Sequence, residues 1–373
     1  MIEIIKDSLA SIAREGNLRR LPAEGVGEGM VDFSSNDYLG LSARIDLQAS
    51  FLESLEAESG WLMGASASRL LATRQESFGC LERTLEEAFA DGRRALFFNS
   101  GYHANTGIVS ALALPGTIVI ADRLVHASII DGLRLGGTRF ERFRHNDLGH
   151  LETLLARAAS EGLRPLIIVE SVYSMDGDEA DIGSLVALKK KYGATLYVDE
   201  AHAVGVCGPG GLGLGAEFGA EVDITVGTFG KALGGTGAFA MCSDTMRQWL
   251  VNRARSLIFS TATAPINALW NDFIFRRMQH MDAERHHLRE LGRALGRALG
   301  SGSQSHIQPF MVGDPERAVR LSAKLREEGL LVLPIRRPTV PPGTDRLRIS
   351  LSAALSAADV ERLANALKNN DTK

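Results

Sequence analysis

Short apolar runs that end in a polar or acidic residue recur between residues 46 and 275, with helical stretches between several of them. Ala95–Phe98 runs into Asn99-Ser100-Gly101, Thr117–Ala121 into Asp122, Leu166–Val169 into Glu170, and Ala194–Val198 into Asp199. Ile224–Gly227 and Gly237–Met241 add two more. Asp147–Ser160 and Asp181–Tyr192 read as helices between them, and Phe78–Phe89 as an earlier helix with Glu82, Glu86 and Glu87 on one side. Short apolar strands separated by helices are buried on both faces, which calls for a mostly parallel sheet with helices on each side. The expected class is therefore α/β.

The flanks read differently. Residues 1–20 form an amphipathic pattern with Ile5, Leu9 and Ile12 at helical spacing. Gly25, Gly27 and Gly29 then form a turn region before a short strand-like stretch, Val31–Phe33. Residues 1–45 are thus an N-terminal arm, and 46–275 a large α/β domain. A long helical region over 267–300 leads into strand candidates at Ile307–Val312, Leu330–Pro334 and Arg346–Leu351, with helices at Ala318–Glu328 and Ala357–Leu367. Residues 276–373 are expected to form a small C-terminal α+β domain. A length of 373 residues suits about two domains.

Charge and cysteine usage exclude several classes. The 41 basic and 45 acidic residues leave a net charge of -4, which gives no electrostatic reason for a nucleic-acid partner. Arg336-Arg337 and Arg346-Leu347-Arg348 read as solvated surface. Cys80, Cys207 and Cys242 show neither CxxC nor zinc-like spacing, and three cysteines suit a reducing compartment. The start, MIEIIKDSLASIAREG, lacks a secretory apolar run, and no stretch is apolar enough for a bilayer. A cytoplasmic chain without membrane partners is the expectation.

Polar residues gather just after the strand candidates, where an open parallel sheet places its binding crevice. Asp199 ends the strand LYVD; it suits a turn residue, a metal ligand or the partner of a buried cationic ring, and His202 follows three residues later. A metal would want further ligands nearby, and no other close histidine supplies one. Lys231 lies in TFGKALGGTGAF. A lysine is usually a surface residue, but these flanks are apolar and glycine-rich, which suits a lysine of lowered pKa that forms a Schiff base. Thr228 is placed to help hold a phosphate. GGLGLG at 210–215 lacks the strand–turn–helix setting of a dinucleotide site, and Gly208-Pro209-Gly210 before it suggests a flexible or covering loop instead. His286-His287, adjacent in a helix, cannot share a face, so they make a poor metal site.

Taken together, eight segments resemble the α-oxoamine synthases: FSSNDYLGL at 33–41, ALFFNSGY at 95–102, ADRLVHAS at 121–128, HND at 145–147, ESVYSMDGD at 170–178, YVDEAHAVGVCGPGG at 197–211, TFGKALGG at 228–235 and FSTATAP at 259–265. The resemblance runs from about Arg19 to Leu367. It implies a fold-type I, aspartate-aminotransferase-like transferase with a large domain and a small C-terminal one, using pyridoxal 5'-phosphate. The tail RRPTVPPGTDRLRISLSA at 336–353 is similar to the biotin-pathway branch, which condenses L-alanine with pimeloyl-CoA or a pimeloyl-carrier protein. Sister branches that make 5-aminolevulinate, 2-amino-3-ketobutyrate or 3-ketosphinganine share the cofactor site.

The resemblance also implies residue roles. Lys231 is the Schiff-base lysine and the base for the Cα proton. Asp199 pairs with the pyridine nitrogen, His126 stacks on the ring, His202 donates to the ring 3-oxygen, and Ser174 belongs to the same shell. Gly101 and Tyr102 form the cofactor-binding turn, and Thr228 is a phosphate ligand. Ser260 and Thr261 reach the phosphate from the other subunit, which implies a homodimer with shared sites. Arg348 clamps the amino-acid carboxylate, Asn36 borders the substrate site, and Arg19 lies near the acyl-CoA entrance. One departure falls in GASASRLLATRQ, which begins at Gly64: Arg69 and Thr73 replace small residues or histidine, which implies an effect on acyl preference.

Overall fold

Runs such as Thr117-Ile118-Val119-Ile120 and Leu166-Ile167-Ile168-Val169 are rich in branched side chains, which pack well on a pleated surface and favour extended backbone. The structure, a computed structural model, describes residues 1–19, 21, 27, 29–55, 63–71, 75–337 and 339–370. In chain order the described strands are β1 (Val31–Asp32), β2 (Arg94–Phe98), β3 (Thr117–Asp122), β4 (Phe140–Phe143), β5 (Arg164–Glu170), β6 (Thr195–Asp199), β7 (Ile224–Thr228), β8 (Ala238–Cys242), β9 (Ile307–Met311), β10 (Leu330–Leu331), β11 (Leu333–Ile335) and β12 (Arg346–Ser350).

Strands β2 to β8 form one sheet among the described residues, in the order β2-β8-β7-β6-β5-β3-β4. Every pairing from β4 through β3, β5 and β6 to β7 is parallel; β8 runs antiparallel to both β7 and β2. The sheet is mostly parallel, as its apolar strands demand. Alternate residues build two cores. Val119, Ile168, Tyr197 and Val226 face one, together with helices Gly101–Ala111 and Ala127–Gly136. Ile120, Ile167 and Val198 face the other, with helices Leu148–Ser160 and Ile182–Tyr192. The chain order reverses between β3 and β5, so the sheet has a switch point there.

The chain divides into two compact units. This sheet lies in the unit made of Asp37–Ser174 and Asp178–Arg285; the other comprises Met1–Asn36, Met175–Gly177 and His286–Lys373. In that second unit β9, β12 and β11 form an antiparallel sheet, and β1 pairs in parallel with β10, so residues 31–32 join the C-terminal strands. Helix Ile2–Arg14 buries none of its residues.

Several sequence readings need correction. The helical region over 267–300 is two helices, Pro265–Met278 and Asp282–Leu299. Leu330–Pro334 splits into β10 and β11, which belong to different sheets. Arg346 and Arg348 are not solvated: they are 5% and 7% exposed, because β12 is the central strand of its sheet, and Arg346 is ion-paired with Asp176. Gly25 and Thr73, singled out above, lie outside the described residues.

Glu82 differs most from its expected place on an acidic face. In helix Glu76–Phe89 it is only 5% exposed. Its Oε1 accepts from the Phe97 N–H (2.9 Å) and the Arg69 guanidinium (3.0 Å), while Oε2 accepts from Arg247 (3.1 Å). A buried carboxylate joined to two arginines is costly to break on one side, since unpaired charge is left behind. Glu82→Ala should therefore lower the unfolding free energy by about 3–5 kcal/mol in urea denaturation; a loss below ~1 kcal/mol would show that the network adds little.

Candidate active site

Strands β5, β6 and β7 end within two residues of each other, and their side-chain period of two decides what happens at that edge. Glu170 is directly opposite Asp199 in the register, and Asp199 opposite Val226. Because Ile168, Tyr197 and Val226 face the core under helix Gly101–Ala111, Glu170, Asp199 and Thr228, two residues on, emerge on that same face. The helix supplies the partner for Asp199. Asn105 Nδ2 donates to Asp199 Oδ2 at 2.7 Å and to Ser128 Oγ at 2.9 Å, and the Tyr197 hydroxyl donates to Asn105 Oδ1. The Ala201 N–H donates to Asp199 Oδ1 at 2.9 Å. Asp199 is thus a buried carboxylate with a fixed orientation, 3% exposed.

The start of that helix sits at the same edge. Phe98 ends β2 opposite Ala238 of β8, which in turn is opposite Thr228 of β7. The chain then turns through Asn99, and Ser100 caps the helix, its Oγ accepting the His103 N–H at 3.2 Å. A Cβ at Gly101 would lie 3.9 Å from Thr228 Cβ, so the first turn of the helix adjoins Thr228. Thr228 Oγ1 donates to the Gly237 carbonyl (3.0 Å) and accepts the Gly230 N–H (3.2 Å). Main-chain N–H groups at a helix start attract anions, and beside a threonine hydroxyl they suit a phosphate. Tyr102 points its hydroxyl at Asp131, 2.7 Å away.

Lys231 follows β7 in a turn closed by Gly234 N–H to the Lys231 carbonyl (2.9 Å) and Gly235 N–H to the Phe229 carbonyl (2.8 Å). Phe229, Ala232 and Leu233 are buried, which holds the lysine inward. Its Nζ is 2.6 Å from His202 Nε2, and His202 Nδ1 is 2.6 Å from the Tyr38 hydroxyl. His126 begins helix Ala127–Gly136, with Nδ1 2.7 Å from Ser128 Oγ. It thereby joins a chain through Ser128 and Asn105 to Asp199. Part of its ring is open to solvent, yet the protein behind it withdraws water and holds the imidazole below its ordinary value; Asp199 opposes this and Lys231 adds to it.

Two further carboxyls are buried here. Glu170 is 2% exposed, and its Oε2 accepts the Ser174 N–H at 3.1 Å. Burial first, then the charge of Asp199, pushes it up to about 8, against the pull of Lys231. Glu200 is fully buried and accepts from the Ser171 hydroxyl, from Gly215 N–H at 2.5 Å and from Leu214 N–H at 3.1 Å; burial nonetheless raises it to about 7. GGLGLG, set aside from sequence as a dinucleotide motif, is the cradle of this carboxyl. Gly213 has φ +101°, and a Cβ there would lie 2.7 Å from Glu200 Cδ.

The donor set fits a phosphate-bearing pyridine aldehyde. An inward lysine can carry the aldehyde carbon, a buried carboxylate can face a ring nitrogen, and a helix start with a hydroxyl can take the phosphate. Ser174 is 7% exposed at the same edge. Ser260 and Thr261 lie beyond helix Arg255–Ile258, and the Thr261 carbonyl accepts from Asn99 Nδ2 at 2.7 Å. Arg19, Asn36 and Arg348 belong to the other unit. There Arg19 donates to Thr339 Oγ1 (3.2 Å) and lines a cavity of about 850 Å³ with Leu9, Ile12, Leu18 and Arg337; Arg348 donates to the Ser350 hydroxyl. Arg69 is engaged by Glu82 and Gln75 and covers the Phe78 ring at 4.7 Å. Sequence reasoning missed Tyr38, Asn105, Glu170 and Glu200 as parts of the site. Glu170 carried a signal, since it ends an apolar strand just as Asp199 does.

His145 of the HND motif sits beside the site as a bridge. Its Nδ1 is 3.0 Å from Asp122, and its Nε2 is 2.6 Å from Asp178. Burial works against its charged form, but hydrogen bonds to Asp122 and Asp178 outweigh it and push it up to about 10. A folded value above the ordinary 6.5 stabilises the fold fully below pH 6.5, and that stability is lost as pH rises through about 10. The stability difference between the wild type and His145→Gln should accordingly shrink across this window in pH-dependent thermal unfolding. A difference constant with pH would rule out the charged bridge.

A profile of the family "aminotransferase class I and II" matches residues 28–367. A "putative 8-amino-7-oxononanoate synthase" of Pasteurella multocida is 44% identical over 99% of this chain and 99% of its own length. An 8-amino-7-oxononanoate synthase of Haemophilus ducreyi is 45% identical over 96% of this chain and 98% of its own. Among solved structures, a serine palmitoyltransferase from S. paucimobilis with a bound PLP–myriocin aldimine superimposes with a TM-score of 0.88, at 29% identity, over 98% of this chain and 96% of that one. With the profile spanning most of its length and these identities running nearly end to end, the chain belongs to the class I and II aminotransferase family, in its 8-amino-7-oxononanoate synthase branch.

Proposed function

We propose that this chain joins the α carbon of L-alanine to the acyl carbon of pimeloyl-CoA or a pimeloyl-carrier protein, releasing the thiol and carbon dioxide and giving 8-amino-7-oxononanoate. Pyridoxal phosphate, carried on Lys231, supplies the sink for the electron pair left at the alanine α carbon. The observation that carries the chemistry is Lys231 Nζ, 2.6 Å from His202 Nε2 at the sheet edge that also holds Asp199. The synthase relatives, 44% and 45% identical, support the substrates.

The residues divide the work. Lys231 Nζ takes the proton from the alanine α carbon. Asp199, held by Asn105 and Ala201, keeps a proton at the ring nitrogen. His202 donates to the ring oxygen, Ser174 belongs to the same ring-contacting shell, and His126 covers one ring face. Gly101, Tyr102 and Thr228 hold the phosphate. Glu170, raised to about 8, keeps its own proton at neutral pH, so two negative charges are not packed side by side. Arg348 supplies a planar fork for the alanine carboxylate, Asn36 borders that substrate, and Arg19 is an arginine for the acyl thioester. Ser260 and Thr261 are assigned to the partner's phosphate in a homodimer. Among the described residues no helix is long and apolar enough to cross a membrane.

The test is a substrate panel on the holoenzyme that follows thiol release. Alanine with pimeloyl-CoA should exceed glycine with succinyl-CoA or acetyl-CoA, and serine with palmitoyl-CoA; a preference for any of these pairs rejects the assignment. Lys231→Ala should lower turnover by about 10³-fold or more and remove the visible absorbance of the resting enzyme. Retention of both would remove Lys231 from its role.

A further inference from the structure

Tyr38 is fully buried, and its hydroxyl lies 2.6 Å from His202 Nδ1. The two rings are tilted, with centroids 6.0 Å apart, so the contact is a hydrogen bond rather than a stack. Two close approaches hold this geometry. A Cβ at Gly205 would lie 2.7 Å from Ala232 Cβ and 3.5 Å from Leu39 Cδ1; a Cβ at Gly234 would lie 2.7 Å from Ser42 N. The segment carrying Tyr38 is therefore packed against the turns carrying His202 and Lys231. Asp37 locks it further, its carboxylate accepting the N–H groups of Leu41 (2.8 Å) and Ser42 (2.9 Å).

The hydrogen-bond chemistry has two arrangements. A neutral imidazole has one donor and one acceptor nitrogen, and what one nitrogen meets decides the character of the other. If the Tyr38 O–H donates to Nδ1, the proton of a neutral ring is on Nε2, and Nε2 donates toward the space at Lys231 Nζ. If Nδ1–H donates to the phenol oxygen, Nε2 offers only a lone pair there. A phenol is the stronger donor of the two partners, and the first arrangement supplies an N–H where the proposed cofactor oxygen would be.

We propose that Tyr38 is a positioning residue that fixes His202 as the Nε2–H tautomer, so that the ring presents a proton donor toward the space beside Lys231 Nζ. This rests on the proposed function for its purpose, but not for its geometry. From neighbouring elements the charge of Lys231 acts on Glu170 and on His126.

The test uses the cofactor-loaded full chain with histidine labelled in nitrogen-15. Long-range proton–nitrogen NMR, with His202→Gln to identify the signals, should show the Nε2–H tautomer in the wild type. Tyr38→Phe should convert it to the Nδ1–H form or to a mixture. A proton on Nδ1 in the wild type overturns the proposal without any variant, and so does an unchanged signature in Tyr38→Phe. In the same variant the pH midpoint of the visible absorption band should move by about one unit; an unmoved midpoint overturns the link to Lys231. Neither readout requires pimeloyl substrate, so failure of the proposed reaction would show separately in the substrate panel.

Discussion

Parallel pairing that sets Glu170 directly opposite Asp199 is the constraint around which the site is arranged. Two carboxyls side by side at a buried edge cannot both be charged without a large penalty. The molecule separates their roles by environment. Asp199 receives N–H donors from Asn105 and Ala201, whereas burial first, then the charge of Asp199, pushes Glu170 up to about 8. Asn105 links Asp199 to Ser128 and, through it, to His126, so the orientations of that histidine and of the carboxyl are set by the same amide.

Much of this was legible because strand-end chemistry leaves a mark in sequence. A lysine among buried Phe229, Ala232 and Leu233, and an aspartate closing an apolar strand, are unusual enough to stand out. Asn105 left no such mark. Its helix, GYHANTGIVSA, is poor in strong helix formers and is held by tertiary packing. Strand β4, with the sequence FERF, has alternating exposure at a sheet edge and lacked the apolar run that announced the others. Glu82, Arg346 and Arg348 read as surface because charged residues usually are; for Glu82 and Arg346, ion partners distant in sequence make the burial tolerable. GGLGLG signalled glycine geometry correctly, but its reason, close approach to the Glu200 carboxyl, depends on a residue ten positions earlier.

The position of β8 has a consequence for how the molecule is made. Among the described residues β2 joins the sheet only through β8, although 139 residues lie between Phe98 and Ala238 along the chain. During synthesis from the N-terminus, the parallel strands β3 to β7 can assemble in sequence order, each beside a predecessor or near one. Strand β2 meanwhile has no partner until Ala238–Cys242 leaves the ribosome. The helix start at Gly101 is tied to the end of β2, so its place beside Thr228 is a late product of translation. A nascent chain stopped before β8 would hold a nearly finished sheet with β2 still unpaired.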